Sequence, residues 1–155
     1  MAQELVGREA KRELLPELDA SFAEFMAFIE GERPARTPAA TWGEREVLAH
    51  IVGWHRSAAS RLLDISRGAR DVGPPAGSAD EVNRRFVSER AGLSRQELLV
   101  QVKDSFEAMR SAAQAVPEGR FRKGAVPDEH SLAYFVLWAN GPDHYAEHLE
   151  QLRPK

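Results

Sequence analysis

The chain has 155 residues, with 21 lysines and arginines against 24 aspartates and glutamates, a formal net charge of −3 and no cysteine. The length is that of one domain, able to bury about two thirds of the surface its unfolded chain exposes, and a single domain is expected over residues 1–155. Without cysteine there is no disulfide framework, no thiolate metal site and no protein thiol nucleophile. The charge gives no electrostatic footprint for nucleic acid or an anionic membrane. The longest apolar run, Leu132–Ala139, has eight residues, whereas a membrane-spanning helix needs about 20. Glu4, Arg8, Glu9, Lys11, Arg12 and Glu13 leave no apolar leader near the start, so a cytoplasmic protein is expected.

Apolar residues recur at helical spacing along the chain. The first segment carries Leu15, Leu18, Phe22, Phe25 and Ile29, with Gly31 as its stop; Pro16 means that this helix either kinks or starts there. The second runs through Val47, Ile51, Ala58, Leu62 and Ile65 and stops near Gly68. A short helix opening at Ser78 contains Val82, Phe86 and Val87. The third long segment places Leu99, Val102, Phe106, Met109, Ala113 and Val116 at steps of three and four, the repeat of a bundle helix. The last extends from Leu132 to Leu152, as one helix or as two meeting at Gly141-Pro142. Thr41–Glu44, Ser78–Glu81 and Ser94–Glu97 each read as a capping box, in which hydroxyl and glutamate satisfy each other's backbone N–H groups. Residues 32–40, 67–77 and 117–129 are rich in Pro, Gly and charge and read as loops. The fold expected is all-α: a four-helix bundle with a short extra helix between the second and third long helices.

Chemistry must come from the histidines. His144 and His148 are four residues apart, which on a helix stacks both imidazoles on one face where they can share an ion. About one shuffled sequence in eight would contain such a pair, so the pair alone is a weak signal. A third ligand would come from a facing helix, and the second helix offers His50 and His55. At 100° per residue His55 lies about 45° from the centre of the apolar arc and His50 nearly 100° away, so periodicity prefers His55 for the interior. His130 reads as an exposed loop residue, Tyr134, Phe135 and Trp138 as core, and Arg120, Arg122 and Lys123 as a solvated basic loop. Ser57, Ser60 and Ser131 lie in no G-x-S-x-G elbow.

The stretch Thr41-Trp-Gly-Glu-Arg-Glu-Val-Leu-Ala-His50-Ile-Val-Gly-Trp-His55 resembles the second-helix signature of the DinB-like superfamily. His144-Tyr-Ala-Glu-His148 is similar to the last-helix segment of its ClbS/DfsB branch, and Asn83-Arg-Arg-Phe86 ahead of Leu93-Ser94 is similar in placement. The resemblance spans about Leu14 to Leu152. It implies a four-helix bundle with a divalent metal, often zinc or nickel, held by His50, His144 and His148, and it makes His55 a residue that supports those ligands or packs beside them. The activities it implies are diverse: S-transfer of a low-molecular-weight thiol such as bacillithiol or mycothiol, mycothiol-dependent isomerisation, or hydrolysis of a reactive toxin in self-protection.

Three neutral imidazoles would leave a position open for water or substrate, giving either metal-assisted hydrolysis or delivery of an exogenous thiol to an electrophile. Tyr145 is the nearest candidate for a catalytic hydrogen-bond donor, whereas Glu147 points away from the histidine face by about 60–100°. The expectation is a metal-dependent enzyme of detoxification or stress response acting on a small molecule. The alternative is a non-catalytic bundle that binds a small apolar molecule. A homodimer is expected from exposed helix flanks such as Leu63 and Val52.

Overall fold

The apolar repeats become six α-helices in the computed structural model, which describes residues 5–31 and 43–153. They are α1 (Gly7–Glu30), α2 (Glu44–Ser66), α3 (Ala79–Glu89), α4 (Arg95–Ala115), α5 (Leu132–Asn140) and α6 (Pro142–Leu152). The expected all-α bundle is therefore the fold, with the last of its four long segments broken in two. No helix is long and apolar enough to cross a membrane among the described residues.

The capping residues set the helix starts. Ser94 Oγ accepts from the Glu97 N–H at 3.1 Å while Glu97 accepts from the Ser94 N–H at 3.4 Å, the reciprocal box read in the sequence. At α3 the Ser78 hydroxyl accepts from the Glu81 N–H but itself donates to the Glu81 carboxylate, so the cap is one-sided. Thr41 and the loop at residues 32–40 lie outside the described residues. The described part of α2 is capped at Gly43, whose N–H donates to Glu46 at 3.2 Å.

Pro16 does not start the first helix. α1 begins nine residues earlier and runs through it, giving up the amide bond to the Arg12 carbonyl and bearing the crowding of that carbonyl by the ring. The extra length buries Ala10 and Leu14, and it brings Lys11 onto the last carbonyls of α4, Gln114 at 2.6 Å and Val116 at 2.7 Å. Residues 117–129 are not wholly loop either. Strands β1 (Leu5–Val6) and β2 (Arg122–Lys123) pair antiparallel and tie the start of α1 to the connection before α5. In the supposed basic loop, Arg120 donates to the Ala69 carbonyl at 2.6 Å and closes the end of α2, and Lys123 pairs with Glu13.

The core lies between α2 and α4, which pack along most of their lengths, and beneath α1, α5 and α6. α3 lies across α2 at Gly53. There a Cβ would stand 2.1 Å from the Phe86 ring, so only glycine lets the two helices approach this closely. Val52 is fully buried rather than exposed, because α2 is enclosed on that flank too; Leu63 is exposed. Of the aromatic trio expected in the core, Tyr134 is buried and Trp138 partly so, but Phe135 is 40% exposed.

Candidate metal centre

His50 stands in the second turn of α2, and His144 and His148 in consecutive turns of α6. The break before α6 places them. Gly141 lets the chain turn where a side chain would strike Leu18 and the Leu137 carbonyl, and Pro142 supplies the fixed φ suited to a first helical residue. α6 thus starts afresh, packed on α1 and α5, and reaches the α2 side chain His50 with both histidines in its first two turns.

The three Nε2 atoms converge: 2.9 Å from His148 to His50, 2.9 Å from His148 to His144 and 3.2 Å from His50 to His144. The opposite ring atoms explain which tautomers are present. His50 Nδ1 faces the Glu46 backbone carbonyl at 3.2 Å and His148 Nδ1 faces the Gln151 side-chain Oε1 at 2.9 Å, so each Nδ1 carries the proton and donates. Their Nε2 lone pairs consequently point at one another at 2.9 Å. Two acceptors at that distance repel unless a cation lies between them. The three nitrogens are close enough together that one ion could be held by all of them. The donor set fits a divalent ion.

Electrostatics keep all three rings neutral. Burial, with the neighbouring His148 adding to it, pushes the His50 imidazole down to about 3. His144 is held well below the ordinary histidine range, by burial first and then by the other two histidines; burial also lowers His148. Neutral imidazoles are the ligand-competent form at neutral pH. His144 Nδ1 is buried without a hydrogen-bond partner among the described residues.

The cluster opens onto a cleft of about 550 Å³. One wall is Trp54, whose Nε1–H donates to Asn83 at 2.6 Å and so fixes the indole. Phe135 and Asn140 of α5, Glu147 and Gln151 of α6, Arg61 of α2 and Asp80 of α3 also line the cleft. Trp54, one turn beyond His50 on the same stripe, and Glu147, between the two histidines, were in view in the sequence; Arg61, Asp80 and Asn140 were not. Gln151 had a readable signal, one turn beyond His148 on the same face.

His55 and Tyr145 are elsewhere. His55 is inside, as the apolar arc indicated, but does not reach the cluster: its Nε2 accepts from the Tyr145 hydroxyl at 2.6 Å and its Nδ1 donates to Ser105 Oγ at 2.9 Å. Tyr145 is fully buried and does not line the cleft. His130 is partly buried, accepts from the Gly124 N–H at 2.9 Å and packs on Tyr134 and Trp138, far from the role of a free loop residue.

Residues 15–144 match the mycothiol maleylpyruvate isomerase N-terminal domain. The chain belongs to that family. It is a DinB-like family related to mycothiol and bacillithiol enzymes, in agreement with the resemblance of the His50 and His144–His148 segments. The match includes His50 and ends at His144, four residues short of His148. No curated protein and no solved structure matches the chain.

Proposed function

We propose that the protein is a metal-dependent enzyme that brings an exogenous low-molecular-weight thiol to a small electrophile, with S-transfer or thiol-assisted isomerisation as the outcome. The observation that carries this reading is the convergence of three Nε2 atoms within 3.2 Å, two with their protons fixed outward, at the floor of an open cleft. The family's description names mycothiol and maleylpyruvate, which favours thiol chemistry over hydrolysis at the same nitrogens. With no cysteine in the chain the thiol must come from outside.

Imidazole-only sets suit zinc, nickel, copper and iron, and zinc or nickel is the proposed ion. When bound, a divalent ion supplies Lewis acidity that makes a thiol at the site more acidic. The chain's own residues do the rest. Glu46 and Gln151 hold two imidazoles in the inward-facing tautomer, a supporting role of the kind that fixes ring orientation at metal sites. Trp54 and Phe135 provide apolar walls for the electrophile. Asp80 and Glu147, at the cleft margin, are carboxylates able to take the proton that the thiol gives up.

The test is elemental analysis of the purified, untagged protein and of His50→Ala, paired with consumption of mycothiol in the presence of 1-chloro-2,4-dinitrobenzene. About one equivalent of zinc or nickel, absent from the variant, with thiol consumption that follows metal content, is expected. A protein that takes up no metal even on reconstitution refutes the reading and favours a non-catalytic binding bundle.

A further inference from the structure

The cleft does not end at its apolar walls. His50, Trp54 and Arg61 fall within about 40° of one another around α2, and eleven residues of rise place Arg61 roughly 16 Å along the axis from His50. Arg61 is the one cationic side chain lining the histidine cleft among the described residues, and with Pro74 it also lines an adjoining cavity of about 560 Å³. That second cavity contains two more guanidinium groups, Arg56 and Arg90, and the hydroxyl-bearing Ser57 and Ser60.

Acidic groups offset this charge only in part. Arg61 is half-buried and its one hydrogen bond runs from Nε to the Val72 carbonyl at 3.2 Å; no carboxylate lies within ion-pair distance of it among the described residues. Arg90 is only 6% exposed, and its Nε has no partner; one NH group holds the Phe86 carbonyl at 2.9 Å. Asp64 and Glu89 also face the second cavity. Glu89 is shared between Arg90 at 3.6 Å and Arg85 at 3.9 Å, so the balance stays positive. A guanidinium cannot escape burial by losing its proton, and its forked N–H groups match two oxygens of one anion.

We infer that the end of the cleft remote from the histidines is an anion subsite, centred on Arg61 and continued by Arg56 and Arg90, which takes a phosphate or carboxylate group of the molecule whose other end lies at the metal centre. The link between the two ends rests on the enzymatic reading above; the anion subsite itself is testable without it. The molecule implied is elongated, with an apolar middle against Trp54 and a charged end about three helical turns from the reacting atom.

The experiment is calorimetric titration of the metal-free full-length protein with inorganic phosphate and, separately, with succinate, at low ionic strength. One phosphate or carboxylate should bind the parent, and Arg61→Gln should weaken it by about tenfold or more. Arg61→Lys, which keeps the charge but loses the fork, should fall between. Arg84→Gln, at an exposed position outside both cavities, should bind like the parent. The tighter of the two probes identifies which anionic group the site is built for. Absence of both from the parent, or equal affinity in Arg61→Gln, overturns the inference. Anion binding that persists when no variant or parent takes up metal would leave the subsite standing and remove the enzymatic reading instead.

Discussion

Removing the Tyr145 hydroxyl isolates the polar contact that joins α2 to α6. Ser105 Oγ donates to the Val102 carbonyl at 3.1 Å and accepts from His55 Nδ1–H at 2.9 Å, so His55 Nε2 is left as an acceptor that only the Tyr145 O–H satisfies, at 2.6 Å. Both partners are 0% exposed, so no water can replace the hydroxyl. Tyr145→Phe therefore leaves a buried nitrogen lone pair unpaired, at a cost of about 1–3 kcal/mol. For a chain of this length about 2 kcal/mol corresponds to a fall in Tm of roughly 4–8 °C. Urea and thermal unfolding of metal-free protein measure it, and a cycle with His55→Leu isolates the pair: the tyrosine substitution should cost about 1 kcal/mol less once His55 is gone. Metal content should be retained, because the hydroxyl does not face the cleft. A parent-like Tm refutes the buried-pair argument. Loss of metal at unchanged Tm would return Tyr145 to the centre, as the sequence expectation had it.

Gly53→Ala should destabilise the protein by about 1–3 kcal/mol despite alanine's better helix propensity, because its Cβ would stand 2.1 Å from Phe86 Cγ and push α3 off α2; urea unfolding with tryptophan fluorescence checks this, and an unchanged or raised midpoint refutes it. Gln151→Ala, which frees His148 Nδ1, should weaken zinc affinity by about 10–100-fold in a chelator competition while leaving the fold intact; undiminished affinity would show that Gln151 does not orient the ring. Burial holds His50 and His55 at about 3 in the folded chain against 6.5, so the unfolded chain binds more protons between those values. Stability of the metal-free protein is then full above pH 6.5 and falls on acidification by about 1.4 kcal/mol per pH unit for each of the two histidines. Urea midpoints from pH 7.5 to 5 test that slope, and a flat profile contradicts the burial of neutral rings.

The helices were legible because their periodic faces are what the bundle buries: Val102, Met109 and Ala113 of α4 sit where the three-four repeat puts them. The misreadings have physical causes. Pro16 left a kink and a start both open in one dimension, and the start is the reading that fails: packing of Ala10 and Leu14 together with the Lys11 contacts at the end of α4 outweighs the lost amide bond and the crowding by the ring. Periodicity chose His55 over His50 because it measures depth within a helix face, and a ligand at the mouth of a bundle stands at the edge of that face. Motif resemblance pointed to the other residue, and the structure brings His50 rather than His55 to His144 and His148. Arg61 carried no signal, Phe135 read as core, and Asn83 entered only through its place in the family resemblance. They become cleft residues only when α3 and α5 are laid against α2, a relation between segments some 20 to 80 residues apart that no local pattern encodes.

The same separation explains how the histidine cluster is held. Its three nitrogens come from two helices only, so its geometry depends on the register of α6 against α2, and that register is set twice over. Behind the cluster, the Tyr145–His55 hydrogen bond fixes α6 one residue from His144 and α2 five residues from His50. At the start of α6, Gly141 seats the helix against Leu18 of α1 where any side chain would collide. Neither contact touches the cleft, and both are buried where solvent cannot relax them. The break at Gly141-Pro142, one of the two forms the sequence left open for the last segment, is thus what frees α6 from the direction of α5 and lets His144 and His148 face His50 together.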